Sequence, residues 1–159
     1  MATKSKKSKL RKISSKTIKP KRTKIICISH KEDADGISSA ALIKQAVGGE
    51  TILVDYPGMM DVLESLRNDE KLGKLFICDL GLNKQTNDGF VALLTELRKK
   101  RISVTYVDHH DMDSKVISKL KKIKVKLIHN ISECTSVLVY DMFKKKLSEH
   151  STFIAACGA

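Results

Sequence analysis

The chain has no tryptophan, two prolines and eight glycines in 159 residues. That scarcity excludes collagen-like, mucin-like and linker-like chains, whose composition is dominated by those small or cyclic residues. Long apolar runs are absent too: none approaches the ~20 residues that a membrane-spanning helix needs, so no membrane partner is expected. Cysteine is sparse and dispersed, at Cys27, Cys78, Cys134 and Cys157, with no C-x-x-C pair. This argues against a zinc knuckle or disulfide framework and for a reducing, cytoplasmic location. Three of the cysteines lie in apolar surroundings (IICIS, FICDL, IAACGA), where a thiol is expected to behave as a small buried hydrophobe. The N-terminus carries no apolar core of the kind a signal peptide requires.

Acidic residues are missing from one part of the chain only. Residues 1–24 hold eleven Lys/Arg and no Asp or Glu, although the whole chain carries 30 basic and 18 acidic residues. The remainder, 25–159, therefore holds 19 basic residues (30 less 11) against 18 acidic, and the basicity belongs to the N-terminal stretch. Residues 1–23 are expected to be a disordered tail, since dense like charge with little apolar content cannot bury enough surface to fold. Such a tail attracts polyanions by counterion release and, lacking aromatics, cannot stack bases. A basic localisation signal is the alternative.

From Lys24 onward, through residue 159, the pattern is that of one domain. Strands are predicted at Lys24–Ser29, Thr51–Asp55, Leu75–Cys78, Ile102–Val107 and Val125–His129. Helices are predicted at Ile37–Val47, Met59–Asn68, Asp88–Lys100, Ser114–Lys121 and Thr135–Leu147, with a further buried helix over Phe153–Ala159. Phe90, Leu93, Leu94 and Leu97 form an i, i+3, i+4, i+7 stripe suited to packing on a sheet. Alternating strands and helices imply a doubly wound α/β domain: a mostly parallel five-stranded sheet with helices on both faces.

Ligands of such sheets bind beyond the carboxyl ends of the strands. After the first strand comes His30-Lys31-Glu32-Asp33-Ala34-Asp35-Gly36; after the third, Asp79-Leu80-Gly81; after the fourth, Asp108-His109-His110-Asp111. Converging carboxylates repel one another unless a cation holds them. A His/Asp set without cysteine suits Mn²⁺ or Mg²⁺, and its ligand number suits two ions about 3.5–4 Å apart. Metal-assisted phosphoester hydrolysis is the reaction class that follows. Taken singly, each cluster has a plainer meaning: Asp35 as a helix N-cap, Asp33 as a turn residue, the two histidines as a solvated loop. Glu32, Asp55, Asp111 and Asp113 are expected to be solvated loop charges, and Asp141 a surface partner of Lys145.

At these residues the sequence resembles the DHH phosphoesterase superfamily. The namesake triplet is Asp108-His109-His110; the first motif resembles His30…Asp33-Ala34-Asp35-Gly36, and the second Asp79 in ICDLGLN. The D-A-D-G form is similar to that of the RecJ-like exonuclease branch. The resemblance implies a Rossmann-like fold and metal ligands at His30, Asp33, Asp35, Asp79 and His109, with Asp79 bridging two Mn²⁺ or Mg²⁺ ions. It implies further that His110 faces the substrate phosphate and that Asp108 supports the histidines. The implied activity is hydrolysis of phosphodiester bonds in single-stranded nucleic acid or short oligonucleotides. Cyclic-dinucleotide or polyphosphate hydrolysis is a second reading, and a non-catalytic nucleic-acid-associated module with a vestigial metal site a third. Since the family's fourth motif supplies a further Asp after a Gly-rich helix end, the 159-residue chain is expected to be an incomplete, impaired enzyme. Deleting residues 1–24 is expected to flatten the salt dependence of nucleic-acid binding, by about 0.9 in logarithmic slope per lost duplex phosphate contact. Fluorescence anisotropy across a salt series measures this, and an unchanged melting curve shows that the fold survives.

Overall fold

In the computed structural model, which describes residues 22–159, the apolar and β-branched runs form five strands. These are β1 (Lys24–His30), β2 (Glu50–Val54), β3 (Leu72–Cys78), β4 (Ser103–Asp108) and β5 (Lys126–His129). The helices are α1 (Ala34–Val47), α2 (Tyr56–Leu66), α3 (Asn87–Lys99), α4 (Ser114–Lys122), α5 (Thr135–Phe143) and α6 (Ser151–Cys157). The expectation of a disordered tail at residues 1–23 lies, but for its last two residues, outside the described residues. No described helix is long and apolar enough to cross a membrane.

The strand order is β2-β1-β3-β4-β5, and every neighbouring pair is parallel. The sheet is thus wholly rather than mostly parallel, because each strand reaches the next through a helical crossover and none through a hairpin. Side chains alternate across it, as a period of two requires. Ile26 and Ile28, Leu75 and Ile77, Val104 and Tyr106 face one layer with the buried stripes of α2, α3 and α4. Cys27, Phe76, Cys78 and Val107 face the other, with α1, α5 and α6. The predicted stripe Phe90, Leu93, Leu94 and Leu97 supplies all four buried residues of α3.

Several boundaries differ from the sequence prediction. α1 starts earlier, at Ala34, and its N-cap is Asp33, whose carboxylate accepts from the Gly36 amide; Asp35 lies inside the first turn. Asp55 and Asp113 are caps rather than idle loop charges, accepting from the Gly58 and Lys115 amides at the starts of α2 and α4. α5 ends at Phe143, not Leu147. Three successive lysines follow, and a tight turn closed by the Leu147 amide on the Phe143 carbonyl brings Leu147 back against the sheet. Asp141 pairs with Lys144, one residue short of the expected partner. α6 is not a buried helix: Ser151 and Ala155, one turn apart, are buried and Ile154 packs partly buried on the core, while Phe153 is 69% exposed and Cys157 is exposed as well. Cys27 and Cys78 are buried as expected.

The α3 stripe carries the layer beneath β3 and β4, so truncating its fully buried Leu94 should be costly. Leu94→Ala is expected to destabilise the fold by about 2–5 kcal/mol, read from the shift in a urea denaturation midpoint.

Candidate metal centre

The sheet reverses its direction of growth between β1 and β3, the switch point at which parallel sheets open a crevice. β1 ends in His30, and the chain turns at once into α1. Gly36 makes that turn possible, since a Cβ there would lie 2.4 Å from the His30 carbonyl oxygen. β3 ends before Asp79, which holds a left-handed backbone (φ 56°) and donates its amide to the Val107 carbonyl of β4 at 3.0 Å. A non-glycine residue in that conformation stores strain of order 1–3 kcal/mol, a feature concentrated at functional sites. β4 ends in the buried Asp108, followed by His109 and His110. Gly81 lets the His110 ring approach, because a Cβ there would sit 2.9 Å from its Cγ.

Side chains from the three strand ends meet. His30 Nδ1 bonds Asp33 Oδ2 at 2.8 Å, while Asp33 Oδ1 accepts from the Gly36 amide at 2.9 Å. His109 Nε2 lies 3.5 Å from Asp79 Oδ1 and 3.7 Å from Asp35 Oδ2. Asp35 commits both oxygens to the amino end of α5, accepting from the Thr135 amide at 2.8 Å and the Ser136 amide at 2.6 Å. Thr135 Oγ1 donates to Asp79 Oδ1 at 3.1 Å. His110 is held on both sides, by Asp108 Oδ1 at Nδ1 (2.9 Å) and by the Tyr56 hydroxyl at Nε2 (3.1 Å). Tyr106 donates its buried hydroxyl to the Leu80 carbonyl, with Asp108 Oδ2 at 3.4 Å.

Two groups of potential ligand atoms result: His30, Asp33 and Asp79, and Asp79, His109 and His110, each set lying within 4.8 Å. Asp79 belongs to both. His110 qualifies for the second set by distance, yet both of its ring nitrogens are already hydrogen-bonded, and Asp35 offers a carboxylate beside His109. The donors suit a divalent cation. Among the described residues three buried side-chain polar atoms have no hydrogen-bond partner, and two of them, His30 Nε2 and Asp79 Oδ2, belong to this site. Such orphans are costly without a ligand.

Electrostatics concentrate the stress on Asp79. Burial, then the negative charges of Asp35 and Asp33, push its carboxyl up to about 7 against smaller opposing effects of Thr135 and His110. Burial also works to raise Asp33, but the Gly36 amide and His30 outweigh it, and the group lies below its ordinary value. The Asp108 carboxylate raises His110 against the opposing effect of burial. Burial and the charges of Asp79 and Asp108 push Tyr56 up to about 12.

The structure therefore gathers His30, Asp33, Asp35, Asp79, His109 and His110 at one sheet edge, with Asp108 directly behind His110. Glu32 and Asp111 stay exposed. Sequence reasoning passed over Tyr56, Thr135 and Ser136. They follow β2 and β5, and the strand-end rule applied to all five strands, rather than three, reaches them.

Residues 24–158 match the DHH family, N-terminal domain. Among solved structures, the crystal structure of an uncharacterized protein from Helicobacter pylori G27 is similar to the chain, with a TM-score of 0.61 and 18% identity. The match covers 82% of this chain and 40% of that one, so the chain spans well under half the length of its structural relative. At that identity the likeness concerns the fold. No curated protein matches the chain.

Asp79 makes the metal-free fold sensitive to pH. A carboxyl raised from 3.8 to about 7 keeps its proton in the fold while the unfolded chain releases it. The contribution of Asp79 to stability is therefore greatest below about pH 4 and is lost as pH rises toward about 7, by at most about 1.4 kcal/mol for each pH unit between those two values. The raised His110 acts in the same direction, its contribution fading as pH climbs past its folded value. The melting temperature in chelator should fall between pH 4 and 7.5, and Asp79→Asn should remove most of that slope. Mn²⁺ should raise the melting temperature of the parent chain at pH 7.5 and leave the variant's unchanged. Differential scanning fluorimetry reads all three.

Proposed function

The chain belongs to the DHH family, whose members are phosphoesterases, and from that membership and this site we propose a divalent-metal-dependent phosphodiesterase acting on single-stranded or short oligonucleotides. The observation that carries the reading is the sharing of Asp79 by two donor sets. One carboxylate reached from both sides suits a pair of ions, Mn²⁺ or Mg²⁺, better than one. In this reading His30, Asp33 and Asp79 hold one ion, and Asp79, His109 and Asp35 the other. Ions bound there supply Lewis-acid polarisation of the phosphoryl oxygens and a nucleophilic water at neutral pH.

The remaining work falls to the protein. Asp108 fixes the His110 tautomer and ring plane through Nδ1, as a carboxylate does for an imidazole that must present its other nitrogen. His129 Nε2 bonds the His110 carbonyl at 2.7 Å and pins the backbone at the same point. In its charged form, which the Asp108 carboxylate favours, His110 presents an Nε2–H toward the crevice and donates it to a phosphoryl oxygen that displaces the Tyr56 hydroxyl. Charge stabilisation of this kind is worth about 10²–10³ in rate. Asp35, with one lone pair of each oxygen taken by the α5 amides, keeps a fixed orientation and a second lone pair per oxygen. The D-A-D-G sequence favours the RecJ-like branch and hence a nucleic-acid substrate.

Isothermal titration with Mn²⁺ and hydrolysis of a chromogenic phosphodiester separate the two halves of this reading. Asp79→Asn is expected to abolish both metal uptake and turnover. His110→Gln is expected to retain metal uptake while losing about 10²–10³ in kcat. Metal uptake unchanged in Asp79→Asn would overturn the assignment.

A further inference from the structure

The near-neutral balance of residues 25–159 hides a local concentration of positive charge, although Glu50 and Asp69 pair with Lys24 elsewhere along the same edge. Because the sheet is parallel, α3 and α4 both end at the edge opposite the metal centre, where β4 and β5 begin. Both helices end in the same way. In α3 the Ile102 amide bonds the Leu97 carbonyl and the Arg101 amide bonds that of Arg98; in α4 Val125 bonds Leu120 and Lys124 bonds Lys121. Each pair is a Schellman cap, whose left-handed residue is ordinarily glycine. Here that residue is Arg101 (φ 63°) in one and Lys124 (φ 61°) in the other. Arg98 joins the two turns, donating to the Ile102 carbonyl at 2.6 Å and to the Ile123 carbonyl at 3.3 Å.

The two turns carry Lys99, Arg101, Lys121, Lys122 and Lys124, and among the described residues none of the five forms an ion pair. No acidic residue occurs in 97–107 or 114–132. A cation at a helix C-terminus complements the macrodipole, which is the plainer reason for one such residue. Two helix ends supply only about one negative charge between them, at roughly half a charge each, and five cations exceed that severalfold. Described backbone enters β1 at this same edge, where Arg22 bonds the Lys100 carbonyl, directly after the stretch richest in Lys and Arg.

We propose that the paired C-terminal turns of α3 and α4 form a docking surface for the phosphate backbone of a nucleic acid, at the opposite edge of the sheet from the metal centre. The strands between are seven residues at most, which places the two edges about 20 Å apart. Neither turn has an aromatic residue, so contact is with phosphates and indifferent to sequence. A bilayer is the less suitable polyanion, since no large exposed apolar residue lies on either turn. The surface is independent of the proposed hydrolysis.

Binding of the full chain to a labelled DNA duplex, in chelator to prevent turnover, tests the surface across a salt series. Arg101→Gly/Lys124→Gly removes two charges while supplying the residue the backbone prefers. It is expected to hold its melting temperature, to weaken binding severalfold, and to make the logarithmic salt slope shallower by about 1.8. Lys121→Gln/Lys122→Gln, at the C-terminal end of α4, is expected to do the same and guards against a misfolded double variant. Hydrolysis of a small chromogenic phosphodiester should be unaltered in both, which separates failure here from failure of the enzymatic reading. Unchanged duplex affinity and slope in both variants would overturn the proposal. So would loss of binding to phosphatidylserine vesicles with duplex binding intact.

Discussion

A carboxylate buried among other carboxylates is the constraint around which this site is organised. Asp33 is offset by the first amide turn of α1 and by His30, Asp35 by the amino end of α5, and Asp108 by His110. Asp79 receives one hydroxyl, from Thr135, and the loose approach of two imidazoles. Among the carboxylates of the centre it is also the one with a left-handed backbone, and it is 1% exposed. Repulsion, strain and burial thus fall on a single side chain, while its neighbours are held in place by amides that cannot move without unwinding a helix. Preorganisation of this kind charges the cost to folding and leaves the donors fixed when a cation arrives.

Topology explains why these groups meet. In a β2-β1-β3-β4-β5 sheet, the three central strands bring their carboxyl ends side by side, and the motifs after β1, β3 and β4 become neighbours. That much was legible in the sequence, because apolar runs of strand length alternate with helical periodicity and the polar clusters fall directly after the runs. The metal-ligand candidates needed no structure to be proposed. What the linear pattern did not disclose was the company each keeps. Asp35 reads as a cap for its own helix, yet it caps a different one, and Asp33 takes the local role. A carboxylate two residues into a helix can reach outward to another helix's amino end, and spacing along the chain carries no trace of that contact.

Other misreadings have equally local causes. α6 is apolar in composition, but its fully buried residues are the small Ser151 and Ala155, with Ile154 only partly covered and Phe153 exposed, so composition overstated its burial. Summed charge says little about placement: a balance of 19 basic against 18 acidic residues does not disclose that the C-terminal turns of α3 and α4 bring several cations, unpaired among the described residues, together at one edge. The periodic α3 stripe was fully readable because a sheet-packed helix has one buried face and its pattern says which.

The bonds from Asp35 to Thr135 and Ser136 join residues one hundred and one hundred and one positions apart. Four of the five strands, β2 to β5, lie between them in sequence. A chain emerging from the ribosome can assemble β1 through β4 and still lack the amides that orient Asp35 and the hydroxyl that touches Asp79. The order of synthesis thus makes competence for metal one of the last properties the domain acquires, after nearly all of its core has closed. A chain interrupted before residue 135 would have every one of the ligand side chains and none of the amide and hydroxyl contacts that orient Asp35 and Asp79.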